Sequence, residues 1–204
     1  MTGSIALVDY GAGNLASVRK GFLAAGADLY TPRQPEDLTR ASGIAIPGVG
    51  HFGATASLAS EWRDAILQRI HSGVPLFGIC LGMQWLFEGS TEAPGINGLG
   101  FLRGNCTRIV APRPLKVPHV GWNTLEPSRR SGALLRNVHD GAYVYFTHTY
   151  AAPVTPECTA TSTHGIEFAA VVERDQVCGV QFHPEKSGTT GLQILRNFVA
   201  MVRA

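Results

Sequence analysis

Pro75-Leu76-Phe77-Gly78-Ile79-Cys80-Leu81-Gly82-Met83-Gln84 is the stretch that decides the fold. Residues 75–79 form an apolar run opened by proline, as a fully buried strand would. Leu81–Phe87 then turns into a helix. The change falls at Gly78-Ile79-Cys80-Leu81-Gly82, where glycines stand two residues either side of one cysteine. A buried strand running directly into a helix is the unit from which helix-covered parallel sheets are built.

The same alternation continues upstream. Ile5–Tyr10 is an apolar run ending at Gly11-Ala12-Gly13, after which Leu15, Val18, Phe22 and Leu23 recur at helical spacing. Gly43-Ile44-Ala45-Ile46 reads as a short buried strand stopped by Pro47-Gly48. Leu58, Trp62, Ala65, Ile66 and Ile70 mark the apolar stripe of a second helix. Downstream, Glu92 to Arg136 is rich in Pro and Gly and reads as loops and short strands. Tyr143–Tyr150, Cys158–Thr163, Phe168–Glu173 and Val177–Phe182 then form a run of strands. A last helix carries Leu192, Leu195, Phe198, Val199 and Val202 on one face.

Size and composition fit a single domain spanning 1–204. The 204 residues are 45% hydrophobic and 16% charged, enough apolar material for a sizeable core. A net charge of +2 argues for neither a nucleic-acid partner nor an acidic membrane surface. No apolar stretch approaches the roughly 18–20 residues that span a bilayer. Met1 leads almost directly into Ile5-Ala6-Leu7-Val8 with no basic region or cleavage site of a signal peptide, so the chain reads as cytoplasmic. Cys80, Cys106, Cys158 and Cys178 are widely spaced and form no disulfide framework. The last three lie in apolar runs as small buried hydrophobes.

Cys80 sits in a different setting. Strand, Gly-x-Cys-x-Gly and helix make the nucleophile-elbow pattern with cysteine in place of serine. The glycines permit the tight turn, and a helix N-terminus favours thiolate. The backbone N–H of Leu81 is then a natural oxyanion donor. The competing reading is a buried cysteine whose glycines serve packing alone. A thiolate nucleophile also needs a base and a group to orient it. Gln181-Phe182-His183-Pro184-Glu185 supplies both: Pro184 favours extended backbone at His183, and residues two apart on extended backbone face one side. The competing reading here is a strand-end histidine beside an unrelated glutamate.

Three other functions can be weighed on the same residues. Gly11-Ala12-Gly13-Asn14-Leu15-Ala16 fits the G-x-G-x-x-A dinucleotide fingerprint. The next strand, Ala27–Thr31, ends in Pro32-Arg33 with no acidic residue to hold a ribose, and the fingerprint leaves Cys80, His183 and Glu185 unexplained. His183-Pro184-Glu185 also satisfies the H-x-E of zinc deaminases. That site needs a downstream P-C-x-x-C, and no cysteine follows Cys178. An inactive scaffold would not need Cys80, His183 and Glu185 intact.

The Gly78–Gln84 run and Phe182-His183-Pro184-Glu185 resemble those of class I glutamine amidotransferases. Pro47-Gly48-Val49-Gly50, Pro118-His119-Val120-Gly121-Trp122-Asn123, Tyr145-Phe146-Thr147-His148-Thr149-Tyr150 and His183-Pro184-Glu185-Lys186-Ser187 narrow the resemblance. They are similar to the glutaminase subunits of imidazole glycerol phosphate synthase, in histidine biosynthesis. Thr147 stands where that family often has Val.

The resemblance implies one α/β domain, a mostly parallel mixed sheet flanked by helices, flavodoxin-like in kind. It implies hydrolysis of L-glutamine to L-glutamate and ammonia through Cys80, His183 and Glu185, with a second oxyanion N–H from Val49. Gly48, Gly50, Gln84, Thr149 and Tyr150 would surround the glutamine, while His148 would be structural. The implied partner is a (β/α)₈ cyclase subunit, bound as a heterodimer and facing Asn14, Trp122, Tyr145 and Lys186. No cofactor or metal is implied. Gly48 and Gly50 flank Val49 with little backbone restriction, so a peptide rotation there would gate hydrolysis until the partner is loaded.

Overall fold

Short apolar runs punctuated by glycine and proline become short strands here. The computed structural model describes residues 3–128 and 132–204; the part of the loop-rich expectation that falls on Arg129–Ser131 lies outside them. The first half runs β1 (Ser4–Leu7), α1 (Leu15–Ala24), β2 (Asp28–Tyr30), β3 (Gly43–Gly48), α2 (Glu61–His71), β4 (Leu76–Cys80) and α3 (Leu81–Trp85). Then come β5 (Gly89–Ser90), β6 (Asn105–Arg108), β7 (His119–Thr124), β8 (Glu126–Pro127), β9 (Tyr143–His148) and β10 (Tyr150–Ala151). The chain closes with β11 (Cys158–His164), β12 (Ile166–Arg174), β13 (Val177–Val180) and α4 (Gly188–Arg203).

Among the described residues the main sheet has the order β2-β1-β3-β4-β13-β12-β11-β8. The pairs from β2 through to β13 are parallel and those from β13 to β8 antiparallel, the mixed sheet that the alternation predicts. Side chains alternate between two buried clusters. Ile5 and Leu7 of β1 and Phe77 and Ile79 of β4 join Phe22 of α1 and Phe198 of α4 on one face. Ala6, Ile44, Ile46 and Leu76 join Leu38, Ile66 and Ile70 on the other. The rings of Phe77 and Phe198 stack at 5.0 Å, and Phe22 meets Phe77 edge-on at 6.4 Å, so α1 and α4 are fastened to the centre of the sheet. Each such ring contributes roughly 1.5–3 kcal/mol by leaving water.

Several boundaries differ from the sequence reading. β3 continues through Pro47 to Gly48 rather than stopping before it. Ala45 and Pro47 face the same edge, where Val8 N–H already reaches Ala45 O and β1 has ended, so the missing N–H of Pro47 forfeits no ladder bond. Leu58 closes a 3₁₀ turn over Phe52–Leu58; α2 begins only at Glu61, after Ser60 takes φ 54°. The helix after Cys80 is five residues long, ending at Trp85. The run Tyr143–Tyr150 breaks at Thr149: β9 pairs with β7 in a separate ribbon, and β10 pairs with β6.

Candidate active site

β3, β4 and β13 are neighbours and parallel, so their C-terminal ends open onto one edge of the sheet. Gly48 is directly opposite Cys80, and Val180 opposite Ile79. Ligand sites in open α/β sheets form outside this edge. Cys80 is 4% exposed and takes φ 53°, ψ −106° at the turn into α3. Its flanking glycines are required by close packing. A Cβ on Gly78 would sit 2.7 Å from Gly82 O and Met83 N, and one on Gly82 would sit 1.8 Å from Ile46 O. With only five residues, α3 contributes little more than a single turn of dipole at the sulfur.

His183 follows β13, which ends at Val180 rather than Phe182. Its N–H donates to Tyr145 O at 2.9 Å, and its carbonyl accepts from Ser187 Oγ at 2.6 Å. Its backbone is extended at φ −101°, ψ 98°, as the following proline favours. Glu185 reaches it differently from the simple two-residue alternation. Pro184–Lys186 is a 3₁₀ turn, which folds the carboxylate back to place Oε1 2.9 Å from His183 Nδ1. Both side chains of this pair are 2% exposed. Nε2 makes no hydrogen bond of good geometry, yet the Cys80 sulfur is near enough to act on the ring's charge. Burial works against a charged imidazole; the neighbouring Cys80 sulfur and the hydrogen-bonded Glu185 carboxylate outweigh it and push the pKa up to about 10. The other thiols, Cys106, Cys158 and Cys178, are all buried, and burial raises the pKa of each.

A cleft of about 290 Å³ opens above Cys80, lined by Val49, Gly50, Leu81, Gln84, Thr149 and Tyr150 together with Glu92, Pro118, Thr147 and His148. Gly48 does not line it. This glycine packs beneath, where a Cβ would sit 2.8 Å from Leu81 Cβ and would collide with Tyr10 Oη. Gly50 holds φ 115°, a conformation that disfavours any side chain. Gln84 Nε2 donates to Tyr150 O at 2.8 Å and to Gln181 Oε1 at 3.0 Å, so both its N–H groups are engaged inside the protein. Glu92 escaped the sequence reading. It lies in the Pro- and Gly-rich stretch with no periodicity to mark it, and is drawn in by Phe52 N–H donating to its Oε2 at 2.7 Å. His148 donates from Nδ1 to Tyr150 O at 2.9 Å and meets His119 through Nε2 at 3.0 Å, so it supports the cleft wall as well as lining it.

The model of the family described as glutamine amidotransferase class-I matches residues 6–202. The chain belongs to the class-I glutamine amidotransferase family. Within the family it groups with proteins named imidazole glycerol phosphate synthase subunit HisH. It is 43% identical to that of Methanothermobacter thermautotrophicus over 201 residues, 98% of this chain and 100% of that protein. It is 47% identical to that of Halobacterium salinarum over 205 residues, 96% and 92% of the two chains. Solved folds agree. A glutamine amidotransferase crystal structure superposes with TM-score 0.76 at 18% identity, covering 99% of this chain and 100% of that one. PurLQS from Thermotoga maritima gives TM-score 0.77 at 15% identity, covering 98% and 99%.

Beside the cleft of this amidotransferase lies the β7–β9 ribbon. Strand alternation turns Val120 and Trp122 outward at 57% and 56% exposure, next to Tyr143 at 60%. Trp122 is paired with Tyr145, their rings 6.0 Å apart, and Lys186 Nζ lies 5.8 Å from the Tyr145 ring. Asn14 is exposed and caps α1, its Oδ1 accepting from Ser17 N–H at 3.1 Å. The neighbouring Gly13 would bring a Cβ within 3.2 Å of Gly48 Cα and Val49 N. Close approach to β3 thus accounts for a glycine of the fingerprint-like Gly11–Ala16 run.

Proposed function

We propose that this chain hydrolyses the side-chain amide of L-glutamine and delivers the ammonia to a cyclase subunit, a (β/α)₈ barrel held in a heterodimer. There the ammonia is used to make imidazole glycerol phosphate and aminoimidazole carboxamide ribotide in histidine biosynthesis, in the cytoplasm. The observation that carries this reading is the buried His183–Glu185 pair beside Cys80, which itself lines the cleft.

The steps follow from the groups present. The raised His183 pKa keeps its ring as imidazolium at neutral pH, and the reacting form of the cysteine is the thiolate. The thiolate attacks the carboxamide carbon, and the oxyanion takes hydrogen bonds from Leu81 N–H and Val49 N–H. His183 gives its Nε2 proton to the departing nitrogen, leaving neutral ammonia and a glutamyl thioester. The imidazole then takes a proton from water, whose oxygen attacks the thioester carbon and releases glutamate. Glu185 holds the Nδ1–H throughout and stabilises each imidazolium. Gly48 shapes the strand beneath Val49; Gly50, Gln84, Thr149 and Tyr150 surround the substrate. Glu92 is the acidic side chain of the cleft lining and suits the substrate's α-ammonium.

Trp122, Tyr145, Lys186 and Asn14 form the face for the cyclase. Tyr145 bears directly on the base, since its backbone N–H and C=O hold Ser187 Oγ and His183 N–H at 2.9 Å each. A partner pressing on this face therefore reaches the base, and rotation of the Val49 peptide between Gly48 and Gly50 completes the oxyanion site. A missing donor costs roughly 10²–10³ in rate. The test compares glutamine turnover by the isolated chain, the heterodimer, and the heterodimer with the cyclase's ribulosyl substrate. Strong acceleration in the last is expected. Equal rates in all three would refute the gating, and no turnover in any would refute the function.

A further inference from the structure

Gln181 is fully buried just beyond β13, its backbone N–H held by Ala170 O at 2.9 Å. Its side-chain Nε2 lies 3.6 Å from Cys80 Sγ. An amide can present either end, and the two ends act oppositely: an N–H stabilises a thiolate and a carbonyl oxygen repels it. The end that faces sulfur here is decided by a chain of contacts that begins at a backbone carbonyl. Tyr150 O can only accept, so the Gln84 atom 2.8 Å from it is the N–H₂ nitrogen. That nitrogen is also 3.0 Å from Gln181, so the Gln181 atom it meets is the oxygen. The N–H₂ end of Gln181 is left for Cys80.

The Tyr150 carbonyl is fixed from its other side as well. His148 donates to it from Nδ1, which makes His148 Nε2 an acceptor and His119 Nδ1 the donor to it at 3.0 Å. With both imidazoles neutral, each gap holds one hydrogen. Burial first, and the neighbouring histidines second, lower the pKa of His119 to about 3. Burial likewise lowers that of His148 to about 4, against the hydrogen bond to Tyr150 O.

We propose that Gln181 is a positioning residue of this site: its side-chain N–H holds the Cys80 sulfur and favours the thiolate, with the Tyr150 carbonyl setting the required orientation through Gln84. The purpose of this device rests on the glutaminase reading, while its geometry stands apart from it. A neutral donor suits the task because it has no proton to give up and does not compete with His183 in the transfers.

Gln181→Met keeps the length and bulk of the side chain and removes the donor. Two readouts apply. One is the rate of Cys80 alkylation by iodoacetamide in the folded full chain at neutral pH, read by mass spectrometry with Cys106, Cys158 and Cys178 as internal references. The other is steady-state glutamine turnover in the complex with the cyclase. Hydrogen bonds to a charged group are strong enough that both Cys80 alkylation and kcat should fall about tenfold or more, with KM within about twofold of wild type. Either rate staying within about threefold of wild type, or a loss appearing in KM alone, overturns the proposal. If Gln181→Met does not fold, Gln84→Met with Gln181→Met leaves no amide orphaned and carries the alkylation measurement. If the wild-type complex turns over no glutamine, the functional reading fails while the alkylation comparison still decides the role of Gln181.

Discussion

Gly82→Ala tests whether the elbow holds its position by close packing. The added Cβ would lie 1.8 Å from Ile46 O and 2.8 Å from its carbonyl carbon. Real Cβ contacts essentially never fall below 3.0 Å, so about 1.2 Å must come from movement. Ile46 is poorly placed to give way, because β3 is paired with β1 on one side and β4 on the other. The short α3 is the element that can lift, and it carries the Leu81 N–H and begins at the residue after Cys80. A displacement of about 1 Å at a reacting group costs on the order of 10²-fold in rate. Overpacking should remove roughly 1–3 kcal/mol of stability, and at about 2–4 °C per kcal/mol the melting temperature should fall by several degrees. The assay is glutamine-dependent synthesis by the heterodimer beside ammonium-dependent synthesis and calorimetry. The ammonium-driven reaction should stay near wild type, since on the proposed function the partner subunit needs only ammonia. Wild-type glutamine turnover with an unchanged melting temperature would refute the packing argument.

Cys80→Ala and Cys80→Gly should both lose glutamine hydrolysis and keep ammonium-driven synthesis. The glycine variant should melt above the alanine variant, because φ 53° strains any side chain by roughly 1–3 kcal/mol, outweighing glycine's entropy; the reverse order would mean the turn is unstrained. Glu185→Gln should slow turnover by less than Cys80→Ala and should also remove a pH-dependent stability. The His183 pKa is raised above 6.5 to about 10, so the stability it contributes is full below pH 6.5 and lost as pH rises through about 10. The gap between wild type and Glu185→Gln in urea unfolding should therefore narrow from pH 7 to 10, and a constant gap would remove Glu185 from the pair. The lowered pKa of His148 has the opposite sign: its contribution is present above pH 6.5 and is lost as pH falls through about 4. His148→Gln keeps a donor for Tyr150 O, so it should flatten the acid limb of the stability profile, and an unchanged limb would show that His148 does not titrate with unfolding.

The local patterns were legible because they are local. The strand-to-helix turn at Cys80 is written in ten consecutive residues, and the apolar runs of β1, β3 and β4 carry the periodicity of a buried sheet. Where the reading missed, a tertiary contact had overridden a local preference. Pro47 stays in its strand because its neighbour has ended, and Glu185 reaches His183 through a 3₁₀ turn that no alternation rule describes.

By itself the sequence determined the strand-to-helix turn at Cys80, the His183–Glu185 proximity and the α/β class, since each depends on residues close together in the chain. Only the tertiary structure decided what stands around the sulfur. β13 inserts beside β4 although Gln181 and Cys80 are 101 positions apart, and the Gln84–Gln181 and Gln84–Tyr150 contacts span 97 and 66. Strand order follows from which apolar faces can be buried together, and a single glutamine or glutamate carries no periodicity from which its distant partner can be read. Glu92 and Gln181 therefore became visible as parts of the cleft and its support only when the sheet placed them there.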